Sequence, residues 1–173
     1  MPKNRLDKFY DLIDEIEVAM FTTRRNDGFL VSRPMATQAR AEGADLWFAT
    51  DRNSPKIEEI RADSHVNLGY YKDRTREWIS VSGTARVVED RGKIRELYRP
   101  DWRAWFGDEG DDRDGSPDDP RIVLIGVDVR LAQFMQLNKP QAVVLYEVVK
   151  GMVTGKQPEF PDVEQVRGEE LRR

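Results

Sequence analysis

The chain has no cysteine and only one histidine, His65, in 173 residues. Without cysteine there is no disulfide framework, thiol nucleophile, thiolate zinc site or iron–sulfur cluster. A single histidine excludes the HExxH motif and any multi-histidine cage, leaving carboxylate-rich sites for hard cations as the only metal option. No metal site is expected. Positive charge is not in surplus: 28 Lys and Arg face 32 Asp and Glu, a net charge of −4. The total therefore offers no basic face for generic nucleic-acid binding. No apolar run approaches the ~20 residues of a membrane-spanning helix. The first residues lead into an amphipathic acidic stretch, not an apolar signal core. A cytoplasmic protein without nucleic-acid or membrane partners is the expectation. The glycine-cradled nucleotide motifs GxGxxG and GxxxxGK[ST] are missing as well.

What is present reads as one α+β domain. A chain of this length buries roughly 70% of its unfolded surface and needs no staple. Leu6, Phe9, Tyr10, Ile13 and Ile16 recur at spacings of three and four, which predicts a helix over 3–17. The period then changes. Residues 18–23 and 29–37 flank Asp27-Gly28, a hairpin-turn pair, and read as two strands. Pro34 lies inside the second and cannot donate to a ladder, so that strand belongs at an edge or a bulge. Residues 46–49 form a third, aromatic strand. Asp51 to Pro55 is turn chemistry before a short helix, with Asp51 or Ser54 as cap and Pro55 in the first turn. Strands follow over 66–71 and 78–88. Next come a helix over 93–98, continued by Trp102-Arg103-Ala104-Trp105-Phe106, and a glycine- and aspartate-rich loop over 107–120. A long strand spans 121–132. The segment 139–153 has the length of a helix but the valines of a strand, with helix favoured. The expected architecture is a six-stranded antiparallel split β-barrel with peripheral helices over 1–155. A loose, charged C-terminal tail over 156–173 would follow it.

Few side chains carry obvious chemistry. The 107–120 loop has seven carboxylates, but an EF-hand register would put Gly110 and Arg121 where acids are required. It reads as a solvated loop. His65 could partner an aspartate and a serine, yet no GxSxG elbow exists, and a helix-to-strand junction suits a capping role better. Phosphate could be held by side chains alone. Arg33 offers a fork, Lys56 a point charge, Ser54 and Thr50 hydroxyls, and the helix start a positive dipole end.

Those residues carry a family resemblance. Val31-Ser32-Arg33-Pro34-Met35-Ala36, Leu46 to Asp51 with Ser54 and Lys56, and Trp78 to Ala85 together resemble the pyridoxamine 5′-phosphate oxidase-like superfamily. Within it they look most like the general stress protein branch of FMN-binding split barrels. The resemblance implies a homodimer with flavin at the subunit interface, FMN in the first instance and FAD as the alternative. It implies that Arg33 grips the phosphate, with Ser54 and Lys56 as the second contact and Ala49 and Thr50 meeting the flavin. Pro34, Met35, Ala36 and Thr37 would run their backbone past the ring. Trp78 falls where the oxidases carry a glutamine against the flavin, and Trp102, Trp105 and Phe106 would close the pocket. Pro55 stands where the oxidases carry an arginine, and their C-terminal vitamin-binding segment has no counterpart. The implied function is therefore flavin binding with redox activity on an unknown small molecule. A non-catalytic flavin sensor, store or carrier is the alternative, and a barrel that lost its cofactor a third reading. No residue is assigned a catalytic role.

Overall fold

A computed structural model describes residues 4–137, 141–155 and 162–172. The chain opens with helix α1 (Arg5–Ile16), capped by Asn4, whose side chain accepts from the Asp7 N–H at 2.8 Å. Phe9, Leu12 and Ile13 are its buried face; of the five residues read from the sequence Phe9 and Ile13 are buried, Leu6, Tyr10 and Ile16 are partly buried, and Leu12 joins them. Strands β1 (Val18–Arg24), β2 (Leu30–Ala36) and β3 (Leu46–Asp51) follow, then helix α2 (Pro55–Ala62), and strands β4 (His65–Lys72) and β5 (Glu77–Val88). Two short helices, α3 (Arg91–Leu97) and α4 (Trp102–Phe106), precede the long strand β6 (Ile122–Met135). Helix α5 (Gln141–Thr154), strand β7 (Glu164–Arg167) and helix α6 (Gly168–Leu171) complete the chain. The 139–153 segment is thus helical over its described part.

One antiparallel sheet contains all seven strands, in the order β2-β1-β4-β5-β6-β3, with β7 added to β6. The six expected strands are present; the seventh is the departure. Its ends, β2 and β3, meet only at an isolated bridge between Thr37 and Phe48 and through the Gln38 N–H to Trp47 C=O bond. The sheet curls almost into a barrel without a closing ladder. Pro34 sits, as its missing N–H requires, on a strand paired on one side only. Thr37 lies just outside the strand expected to hold it.

The concave face buries one core cluster, with Phe21, Phe48, Leu68, Tyr70, Val81 and Phe134 at its centre and α1 covering one end. A second cluster joins Trp47, Ile94, Leu97, Trp102, Ile122 and Leu124 under α3 and α4. In β5 the bulge at Ser82/Gly83 brings the backbones so close that a Cβ on Gly83 would lie 2.6 Å from the Asp128 carbonyl oxygen.

The expectation of a loose tail is corrected from Glu164 onward. Residues Glu164–Arg167 pair with β6, and Val166 is fully buried. Gly168 is pressed onto that strand: a Cβ there would fall 1.9 Å from the Val129 carbonyl oxygen. Arg172 then donates to Asp45 at 3.0 Å. A few apolar contacts and one close approach dock a segment whose composition is otherwise charged. Among the described residues, no helix is long and apolar enough to cross a membrane.

Candidate functional site

A cavity of about 620 Å³ opens between the β2–β3 edge and helix α4. Its floor is Pro34, Met35 and Ala36 on β2 with Ala49, Thr50 and Asp51 at the end of β3. Proline and alanine suit this floor, because small side chains let a flat ligand approach the backbone. The roof is Trp102, Trp105 and Phe106. Trp102 is held edge-on to Tyr98, ring centres 5.5 Å apart. Its Nε1–H donates to the Gln38 side-chain oxygen at 3.1 Å, and Gln38 in turn donates to the Ala36 carbonyl at 2.9 Å. This chain of bonds ties roof to floor. Trp105 remains 85% exposed at the lip.

One end of the cavity is cationic. Ser54 stands at the α2 N-cap but makes no capping bond. Instead, the Lys56 ammonium donates to the Ser54 hydroxyl at 2.5 Å and the Thr50 hydroxyl at 3.0 Å. The expected Asp51 cap is also diverted, since its carboxylate takes the Asn53 N–H at 2.7 Å. Burial pushes the Lys56 ammonium below the usual lysine range, and the nearby Arg33 charge lowers it further against the opposing pull of Glu59 and Asp51. Arg33 and Lys56 are thus two cations whose mutual repulsion an anion would relieve. Ser54 opens onto an adjoining hollow of about 360 Å³, shared with Asn53, Glu109, Arg113 and Arg121.

The acidic loop is organised from within. Asp119 is fully buried and receives the Gly115 and Arg121 N–H groups, each at 2.8 Å. The Arg121 guanidinium returns to Asp119 at 2.7 Å and donates to the carbonyls of Phe106, Gly107 and Arg113 at 2.8–3.0 Å. Desolvation alone would raise the Asp119 carboxyl, but these donors outweigh it and hold the group below its ordinary range. Gly115, at φ +71, lets the loop lie against α4, where a Cβ would come within 2.9 Å of the Arg103 Cα. The loop is a buttress for the roof, not merely a solvated excursion. No cluster able to hold a metal occurs among the described residues.

A model of the family described as pyridoxamine 5′-phosphate oxidase like matches residues 4–159. The chain belongs to that family. The protein bli-3 of Neurospora crassa is 37% identical over 156 residues, covering 88% of this chain and 75% of its own length. Two solved structures share the fold. A candidate general stress protein 26 from Jannaschia sp. CCS1 aligns with TM-score 0.72 and 22% identity over 94% of this chain and 97% of that one. The general stress FMN/FAD binding protein of Xanthomonas citri aligns with TM-score 0.63 and 24% identity over 78% and 89%.

Nine of the residues expected from the family resemblance line the cavity: Pro34, Met35, Ala36, Ala49, Thr50, Lys56, Trp102, Trp105 and Phe106. Ser54 lines the adjoining hollow instead. Three lie elsewhere. Arg33 turns from the cavity to Glu59, at 2.9 Å, and to the Thr23 hydroxyl at 2.6 Å. Thr37 bonds the Tyr70 hydroxyl at 2.8 Å and does not line the cavity. Trp78 is half-buried on β5, opposite Tyr71 and Met135, and does not line the cavity. His65 is bonded to Asp63 at 2.8 Å on the exposed surface, a local pairing with no nucleophile. Gln38, Asp101, Glu109 and Arg121 line the cavity without having been anticipated. Only Gln38 carried a usable signal, as a polar residue directly after an edge strand.

Proposed function

We propose that this chain binds FMN in the β2–β3/α4 cavity, with its phosphate at Lys56, Ser54 and Thr50. The observation that carries this reading is the half-buried Lys56, held by two hydroxyls at one end of a cavity whose floor is small and apolar and whose roof is aromatic. The volume falls in the range of small-molecule cofactor sites, roughly 300–1,000 Å³. The residues fit the group. Small floor residues suit the face of the ring, tryptophans suit stacking or coverage, and the cationic end suits a dianion. FMN supplies two-electron redox chemistry when bound. Each ionisable side chain lining the cavity already has a protein partner: Asp101 with Arg99, Glu109 with Arg113 and Arg121, Asp51 with the Asn53 N–H. The chain's part is to bind, orient and exclude water. Turnover on a small molecule is the first reading. A sensor, store or carrier is the second, favoured by that lack of a free acid or base.

A second copy of the chain completes the site in this proposal. Val18 and Met20, each 46% exposed, pair with Ala36 and Pro34 on the outward face of β1 and β2. Val18, Pro34 and Ala36 belong to this apolar face and to the cavity wall alike. A contiguous exposed apolar patch at a ligand rim marks an interface. The absence of cysteine keeps a cytoplasmic location within the same proposal. The decisive experiment is to purify the protein, record its visible spectrum and identify any released cofactor by mass, with sedimentation giving the subunit count. A yellow dimer releasing FMN is expected. A colourless protein that also leaves added FMN unbound would reject the reading. Stopped-flow mixing with a nicotinamide donor then separates enzyme from carrier.

A further inference from the structure

The Arg33 guanidinium is already committed. Its Nη1 donates to the Thr23 hydroxyl at 2.6 Å and to the Val31 carbonyl at 3.4 Å. Its Nη2 faces both oxygens of Glu59, at 3.0 and 2.9 Å. Thr23 is fully buried, Glu59 is 7% exposed, and the Thr23 hydroxyl donates to the same carboxylate at 2.6 Å. Glu59 stands one helical turn beyond Lys56 on α2 and acts electrostatically on it. A carboxylate in this position has two effects on a phosphate arriving at Lys56. It neutralises the cation that should share the ligand, and it repels the dianion from within a poorly solvated site.

We propose that Glu59 is a resident counter-ion that competes with a ligand's phosphate for Arg33, and so keeps flavin phosphate binding weaker than the two cations alone would make it. The role rests on the phosphate site proposed above and extends it. Glu59 does not line the cavity; it acts by holding Arg33 and by its own charge. Glu59 and Thr23 thereby hold the guanidinium on the α2 side of β2 and away from the cavity. The phosphate gains the guanidinium only by drawing it from Glu59 or by taking its Nε edge.

The test compares FMN with riboflavin, which lacks the phosphate, by titration of flavin fluorescence against wild type, Glu59→Gln and Glu59→Asp. Gln keeps an acceptor for Arg33 and removes the charge. Removal of one charge within two contact distances is expected to tighten FMN about tenfold while leaving riboflavin unchanged. Glu59→Asp retains the charge and should keep the wild-type ratio of the two affinities. Weaker FMN binding in Glu59→Gln, with riboflavin unaffected, would overturn the proposal and make Glu59 a support for Arg33. An unchanged ratio would overturn it too. Should Glu59→Gln not fold, carbon-13 titration of the Glu59 carboxyl in the wild type answers instead. Its resonance must shift on adding FMN and not on adding riboflavin, and no difference would refute the competition. Failure of either flavin to bind the wild type would instead count against the flavin reading itself.

Discussion

Replacement of Gln38 by leucine tests the joint between the roof and floor of the cavity. Gln38 is 8% exposed and Trp102 4%, so the bond between them is screened from water. Leucine fills most of the same volume but offers no acceptor. The Trp102 Nε1–H is then buried without a partner, at a cost of about 1–3 kcal/mol. For a domain of this size each kcal/mol moves Tm by about 2–4 °C, so a fall of roughly 2–12 °C is expected. A double-mutant cycle with Trp102→Phe isolates the pair. The two changes should fall short of additivity by about 0.5–3 kcal/mol, as in-contact residues do. Calorimetry at neutral pH gives all four values. Unfolding of Gln38→Leu within about 1 °C of wild type, or strict additivity in the cycle, would refute the claim that this bond fastens α4 to the β2–β3 edge.

Further outcomes follow from the same geometry. Because the Lys56 pKa lies below 10.5, the folded protein binds fewer protons at that site than the unfolded chain just above the lowered value. A phosphate beside Lys56 restores its charge. FMN binding should therefore take up protons at alkaline pH, and its affinity should decline below the usual lysine range; calorimetric titration in two buffers measures this. Asp119 is held below the ordinary aspartate value. Its contribution to stability is present above that value and is lost as pH falls through the lowered one. Asp119→Asn should thus melt lower at neutral pH and lose less than wild type on acidification. Gly168→Ala should lower Tm by several degrees, because its Cβ meets the Val129 carbonyl at 1.9 Å. An unchanged Tm would mean that β7 and α6 are not docked as described.

Much of this architecture was readable from periodicity. The alternation in β5 reports burial directly over 77–86, whereas β6 is buried on both faces over 122–127, and the i, i+3, i+4 pattern of α1 finds Phe9 and Ile13 but passes over Leu12. Pro34 gave away an edge strand because a missing N–H leaves few other places. The floor and the cationic end of the cavity were legible for the same reason: they come from short contiguous segments of β2, β3 and α2. What was not legible depends on distant partners. Nothing local marks Arg121 as the organiser of a loop, since its partners Phe106, Gly107 and Arg113 contribute carbonyls and not side chains. Strand β7 is four residues long with one buried residue, too short for a period of two to stand out from charge. Trp78 lies outside the cavity wall, and an aromatic residue on a strand fits either such a wall or a half-buried neighbour row. Arg33 matched a phosphate ligand by type, while Glu59, 26 residues away, decides where its guanidinium points.

The central claim is that the cavity takes a flavin whose phosphate is held by Lys56. It is tested most directly by fluorescence titration of wild type and Lys56→Met with FMN and with riboflavin. A charge-assisted hydrogen bond contributes about 1.5–3 kcal/mol, so Lys56→Met should weaken FMN roughly 10- to 100-fold and leave riboflavin nearly unchanged. Equal weakening of both flavins, or of neither, would contradict the account.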